Sequence, residues 1–188
     1  SYNRGERFNN PYVLLENSNS HAYTKRFIGS AFAKWDILKN LSFKSSFSLD
    51  DNNLNEVIYY NANLNQGRSS NGSGTDAITT ERIWIAEQLL NYIPVSNNQH
   101  FLSVFLGNTL QKNEFSRSAI TGSNYPSTQF TSISAAAITQ GSTTGILPSG
   151  LISYFGGINY SYQDKYIFDA NLRTDASSRF GRNNRWAT

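Results

Sequence analysis

The sequence holds 188 residues, about one domain's worth of chain, with 16 Lys and Arg against 13 Asp and Glu and a net charge of +3. Hydrophobic residues make up 38%, aromatics 14% and charged residues 15%, Asn and Ser number 23 and 25, and Cys and Met are absent. The composition excludes a disulfide scaffold, a thiol nucleophile and a Cys-based metal site, and with no run of about 18 apolar residues it excludes a transmembrane helix. Scattered rather than clustered basic residues argue against nucleic-acid binding, and the frequent aromatics argue against disorder. What remains is an all-β protein with long polar loops. The missing Met implies that the chain does not begin at its own start codon.

In chain order, residues 1–22 are polar and irregular, with turn chemistry at Asn9-Asn10-Pro11 and Asn17-Ser18-Asn19-Ser20. Tyr12-Val13-Leu14-Leu15 is too short to be more than an anchored loop segment. A first strand is expected over 24–35. A second, over 41–50, has Leu41, Phe43, Phe47 and Leu49 on one face and Ser42, Lys44, Ser46, Ser48 and Asp50 on the other. Residues 51–80 read as a long loop. A third strand over 82–93 has an ambiguous pattern, with a helix as the alternative. A fourth over 101–112 places Leu102, Val104, Leu106 and Leu110 together. Residues 113–150 form a second long loop. A fifth strand over 152–162 and a sixth over 166–175 flank the tight turn Gln163-Asp164-Lys165, and residues 176–188 form a polar tail.

The connections alternate short and long, and the strands are long enough for the 9–11 residues that a tilted strand needs to cross a bilayer. That layout fits a transmembrane β-barrel with tight periplasmic turns and long extracellular loops. Trp35, Tyr92, Tyr160, Tyr162 and Tyr166 fall near the short turns, as an interfacial aromatic girdle would, and Trp84 reads as a further lipid-interface anchor. The alternative is a soluble, secreted β-sandwich that binds carbohydrate, because alternation serves a dry core as well as it serves lipid.

Four stretches resemble the SusC-like TonB-dependent outer-membrane transporters of Bacteroidetes. They are Asn10-Pro11-Tyr12-Val13-Leu14-Leu15-Glu16-Asn17, Arg26-Phe27-Ile28-Gly29, the run from Ile37 to Phe47, and the C-terminal run from Tyr154 through Arg173-Thr174-Asp175-Ala176-Ser177-Ser178-Arg179-Phe180-Gly181 to Trp186. The family usually has Gly where Ala176 stands. The resemblance implies about six strands from the middle of a larger 22-stranded barrel, with no plug domain in this chain. It also implies import of oligosaccharides, or less often peptides, with a SusD-like surface lipoprotein as partner and TonB–ExbB–ExbD as the energy source. No cofactor is implied.

Candidate sites follow from the pattern. Asp169, Arg173 and Asp175 share the polar face of the sixth strand, with Arg179 and Arg185 close behind, and read as a lumen-facing structural cluster. Tyr59, Tyr60 and Tyr125 lie in the long loops beside Asn and Ser, where aromatic faces and amides suit a ligand such as a glycan. Catalysis is not expected. His21 and His100 lie far apart, adjacent acids such as Asp50-Asp51 would point to opposite strand faces, and no nucleophile–His arrangement is present.

Overall fold

The computed structural model describes residues 10–181 and 184–187. The expectations that fall on residues 1–9, and Asn183 of the C-terminal run, lie outside them. The strands are β1 (Ser18–Leu38), β2 (Leu41–Tyr60), β3 (Ser73–Ser96), β4 (His100–Ser123), β5 (Ile138–Thr143), β6 (Leu147–Tyr162), β7 (Tyr166–Ser177) and β8 (Trp186–Ala187), joined in one sheet. Its order is β1-β2-β3-β4-β6-β7-β8, with β5 also pairing β4. Sequential neighbours pair throughout except β5 and β6, because β6 pairs β4 instead. Among the described residues there is no second sheet to make a sandwich.

The expected strands are present, and several are longer than expected. β1 to β4 run for 21, 20, 24 and 24 residues. The segment 82–93 is strand, not helix. The loop expected over 51–80 shrinks to 61–72, and that over 113–150 shrinks to 124–137 with a short break at 144–146. In the added stretches each face mixes polar and apolar residues, as with Asn52, Leu54 and Glu56 on one face of β2 and Asn53, Asn55 and Val57 on the other. Backbone pairing continues there although the period-two hydrophobic signal has stopped. The Tyr12–Leu15 segment also differs, lying in a helix, α1 (Pro11–Asn17). Asn10 caps it, its Oδ1 accepting from Tyr12 N at 3.0 Å, and Pro11 is suited to the first turn.

The chain divides into two compact units. The first comprises the described residues up to Arg26, Asn52–Glu81 and Phe115–Leu147. It holds the buried hydrophobic side chains Tyr59, Leu64, Ala77 and Tyr125. A second short helix, α2 (Asn65–Arg68), lies in its 61–72 connection. Asparagines replace regular pairing here. Asn17 Oδ1 accepts from Asn61 Nδ2 at 2.6 Å and from Asn63 Nδ2 at 3.0 Å. Asn71 Nδ2 donates to Asn124 Oδ1 at 3.1 Å. Asn71 (φ 48°) and Asn124 (φ 59°) occupy the left-handed region that Asn tolerates better than most side chains.

The second unit comprises Phe27–Asp51, Arg82–Glu114 and the described residues from Pro148 onward. All three short turns fall within it. Asn97 Oδ1 accepts from Gln99 N and His100 N, at 2.9 and 2.7 Å. Gln163 and Asp164 both take positive φ, as in primed hairpin turns, and Lys165 N closes back on Tyr162 O at 3.0 Å. Large apolar side chains stay exposed, Phe32 at 73%, Trp35 at 68% and Leu172 at 69% among them. In water such a surface would mark an interaction site; along barrel strands it is what lipid requires. Among the described residues β7 pairs β8 at two positions, Asp175↔Ala187 and Ala176↔Trp186.

Candidate functional sites

The β6–β7 register sorts the side chains by face. Tyr154 lies opposite Thr174, Gly156 opposite Leu172, Ile158 opposite Ala170, Tyr160 opposite Phe168 and Tyr162 opposite Tyr166. Directly opposed residues share a face, so these pairs form one continuous, mostly apolar side. The intervening pairs, Ser153↔Asp175, Phe155↔Arg173, Gly157↔Asn171, Asn159↔Asp169 and Ser161↔Ile167, form a mostly polar side.

On that polar side Arg173 is held from three directions. Its Nε donates to Asp175 Oδ1 and Oδ2 at 2.9 and 3.2 Å, and its Nη2 donates to the buried Ser153 Oγ at 3.1 Å. Its Cζ lies 6.0 Å from the centre of the Phe155 ring. Asp169 instead accepts from Asn159 Nδ2. Arg179 Nη2 reaches Ser149 Oγ at 3.5 Å, and Arg185 Nε reaches Phe180 O at 3.4 Å. Of the five residues expected to cluster, the structure thus joins Arg173 to Asp175 and gives Asp169, Arg179 and Arg185 separate partners.

Phe155 belongs beside Arg173, with Phe105 packed on it, and nothing in the strand pattern singled out either. Their ring centres are 6.4 Å apart. The signal lay in the glycines. A Cβ on Gly107 would stand 2.5 Å from Phe155 Cζ, and one on Gly157 would stand 2.7 Å from Phe105 Cζ. Each ring therefore lies over a glycine of the neighbouring strand, in the space that a Cβ there would take.

The three tyrosines expected to face a ligand are placed differently from one another. Tyr59 is 2% exposed and Tyr125 3% exposed, and their rings pack against each other rather than outward. Burial raises both hydroxyl pKa values above the usual 10. Tyr60 follows on the opposite side of β2 and is half-buried. Of the aromatics assigned to a lipid interface, Tyr160, Tyr162 and Tyr166 make one ladder. His100 Nδ1 lies 2.8 Å from Tyr160 Oη, the His100 and Tyr162 ring centres are 5.0 Å apart, and Tyr162 stacks on Tyr166 at 6.4 Å. Trp35 is exposed on β1, while Trp84 stacks on Phe47 at 6.4 Å.

Comparison with known proteins places this geometry. No family profile matches the chain. It is 26% identical over 185 residues to TonB-dependent receptor P3 of Formosa agariphila, covering 97% of this chain and 18% of that one. It is 25% identical over 189 residues to TonB-dependent receptor P26 of the same organism, covering 97% and 19%. A 38-residue stretch, 20% of this chain and 4% of the other, is 53% identical to TonB-dependent receptor SusC of Bacteroides thetaiotaomicron. The chain thus spans about a fifth of the length of these full-span relatives. Among solved structures, the RagAB peptide transporter superposes with a TM-score of 0.83 at 19% identity, covering 99% of this chain and 21% of that one. Two-faced strands, exposed apolar side chains, sequence similarity along nearly the whole chain and a shared fold agree: the chain is related to the SusC-like TonB-dependent receptors, and its sheet is a segment of their kind of barrel wall.

Proposed function

We propose that the chain serves as barrel wall in a TonB-dependent outer-membrane importer of oligosaccharides, or less readily peptides. The observation that carries this reading is the β6–β7 register, which assembles one apolar and one polar surface from two strands. The apolar surface meets outer-membrane lipid and the polar surface lines the lumen. A SusD-like surface lipoprotein delivers the cargo, and TonB–ExbB–ExbD supplies the energy. The role is transport rather than catalysis: no nucleophile–base pair is proposed, and the His100 ring is engaged by Tyr160.

The test is uptake by cells. Deleting the receptor gene is expected to abolish accumulation of a fluorescently labelled oligosaccharide, and a protonophore is expected to do the same in the intact strain. The receptor is expected in the outer-membrane fraction. Recovery as a detergent-free soluble protein would refute the assignment, and uptake of labelled peptides alone would move the cargo to the second class.

A further inference from the structure

We propose that the cavity beside Arg179, on the polar side of the sheet, binds the carboxylate of an acidic sugar, such as a uronate residue of the cargo. The cavity is about 240 Å³ and lies within the second unit, between β4, β6 and the end of β7. Gln111 and Asn113 of β4, Ser149 and Leu151 of β6, Ser177 of β7 and Arg179 line it. Leu151 lies opposite Ser177, two residues along from Ser153↔Asp175, so alternation puts these side chains on the same side as Arg173.

The Arg179 guanidinium is the observation that points to a ligand. The residue is exposed, and its Nη2 lies 3.5 Å from Ser149 Oγ on the cavity wall. Among the described residues no Asp or Glu lines the cavity, and Arg179 makes no ion pair. The acid nearest to it in sequence, Asp175, is held by Arg173. The segment that carries Arg179 is tied down. Ser178 N donates to Gly150 O at 2.9 Å, Gly150 N donates to Ser178 Oγ at 2.8 Å, and Arg179 N donates to Ser177 Oγ at 3.3 Å. A cation that is reachable, anchored and not neutralised is preorganised for an anion.

The rest of the wall adds donors. The Ser149 and Ser177 hydroxyls accept from Arg179, so each keeps its own proton to donate. The Gln111 amide supplies further N–H groups for a carboxylate and a carbonyl oxygen for a sugar hydroxyl. A planar guanidinium matches a planar carboxylate with two parallel hydrogen bonds. Leu151 offers carbon to the C–H side of a ring. At about 240 Å³ the cavity falls below the roughly 300–1,000 Å³ that encloses drug-sized ligands, and it suits one ring with its carboxylate. The choice of a sugar acid rests on the importer reading above, whereas the anion site itself rests on Arg179 and its donor-lined cavity.

Saturation-transfer NMR on the full-length receptor in detergent tests the site, with methyl glucuronide as probe and methyl glucoside and N-acetylalanine beside it. The glucuronide is expected to receive saturation and the neutral glucoside about tenfold less. The glucuronide signal is expected to fall about tenfold with Arg179→Gln and about threefold with Gln111→Leu, which leaves the cation in place, and to be kept with Arg117→Gln. Heat-resistant migration shows whether each variant folds, and Gln111→Leu decides if Arg179→Gln does not. The proposal is overturned by no glucuronide contact in the wild type, by equal contact from the glucoside, or by stronger contact from N-acetylalanine. A signal unchanged in Gln111→Leu or in folded Arg179→Gln, or an equal fall in Arg117→Gln, also overturns it. Cellular uptake separates the two readings. Energised oligosaccharide uptake with no glucuronide contact removes the site and leaves the importer, whereas contact without energised uptake keeps the site and removes the importer.

Discussion

The rings of Tyr59 and Tyr125 meet edge to face, 4.9 Å between centroids and 74° between planes. One ends β2 and the other opens the 124–137 connection, so two segments distant in sequence form one packed body with Leu64 and Ala77. Tyr59→Ala is therefore expected to cost about 3–4 kcal/mol of local stability. Hydrogen-exchange mass spectrometry of the full-length receptor should show faster exchange at both 61–72 and 124–137. Faster exchange in only one of them would mean that the two segments fold independently.

Tyr125 separates ring packing from hydroxyl chemistry. Tyr125→Ala removes the ring and is expected to cost about as much as Tyr59→Ala. Tyr125→Phe keeps the ring and deletes a buried oxygen without a partner, so the ligand-free receptor is expected to be unchanged or stabilised by up to about 1 kcal/mol. Comparing the denaturation midpoints of the two variants checks this.

The same pair gives the first unit an alkaline limit. Burial raises both phenol pKa values above the unfolded value near 10. The neutral form is the one favoured in the fold, so its contribution is fully present below pH 10 and is lost as pH rises past it. Tyrosinate absorbance near 295 nm should show a late-titrating fraction in the wild type that shrinks in Tyr125→Phe. Identical titration curves would contradict it.

The two glycines beneath the phenylalanines should respond unequally to a methyl group. At Gly107 a Cβ meets Phe155 Cζ at 2.5 Å and the Gln88 carbonyl oxygen at 2.9 Å, and the latter is backbone. At Gly157 it meets only the Phe105 and Asn171 side chains among its nearest neighbours. Gly107→Ala is expected to cost about 1–3 kcal/mol and Gly157→Ala less, because side chains can move aside. Yield of heat-resistant folded barrel reads the difference.

Arg173 and Asp175 are both substantially exposed, at 55% and 40% of their side chains. Asp175→Asn is therefore expected to shift the denaturation midpoint by no more than the scatter between replicate measurements. Arg173 keeps its bond to Ser153 and its place over Phe155 in that variant. A loss several times larger in denaturation would show that the pair acts in a tighter network than its exposure implies.

Strand pairing was legible in the sequence wherever one face stayed apolar. β7 alternates from Tyr166 to Asp175, and its start, its partner and its faces all follow from that. The longer reach of β2 to β4 was hidden because Asn, Ser and Thr occupy both faces there, leaving nothing periodic to read. Arg173 and Asp175 fell on one face by spacing alone, but Ser153 and Phe155 join them only through the cross-strand register. Tyr59 and Tyr125 looked like open loop aromatics because no local pattern announces that Gly72 and Gly74 clear space for a ring arriving from beyond β4.

The two-position contact between β7 and β8 has a practical consequence. Among the described residues it leaves the stretch from Tyr166 to Arg173 without a paired strand on that side, and β1 ends the sheet order at the other margin. Unsatisfied ladders of this length template the addition of further chains. Expressed by itself, this stretch is expected to self-associate into sheet-rich aggregates, so its residues are best probed within the full-length receptor.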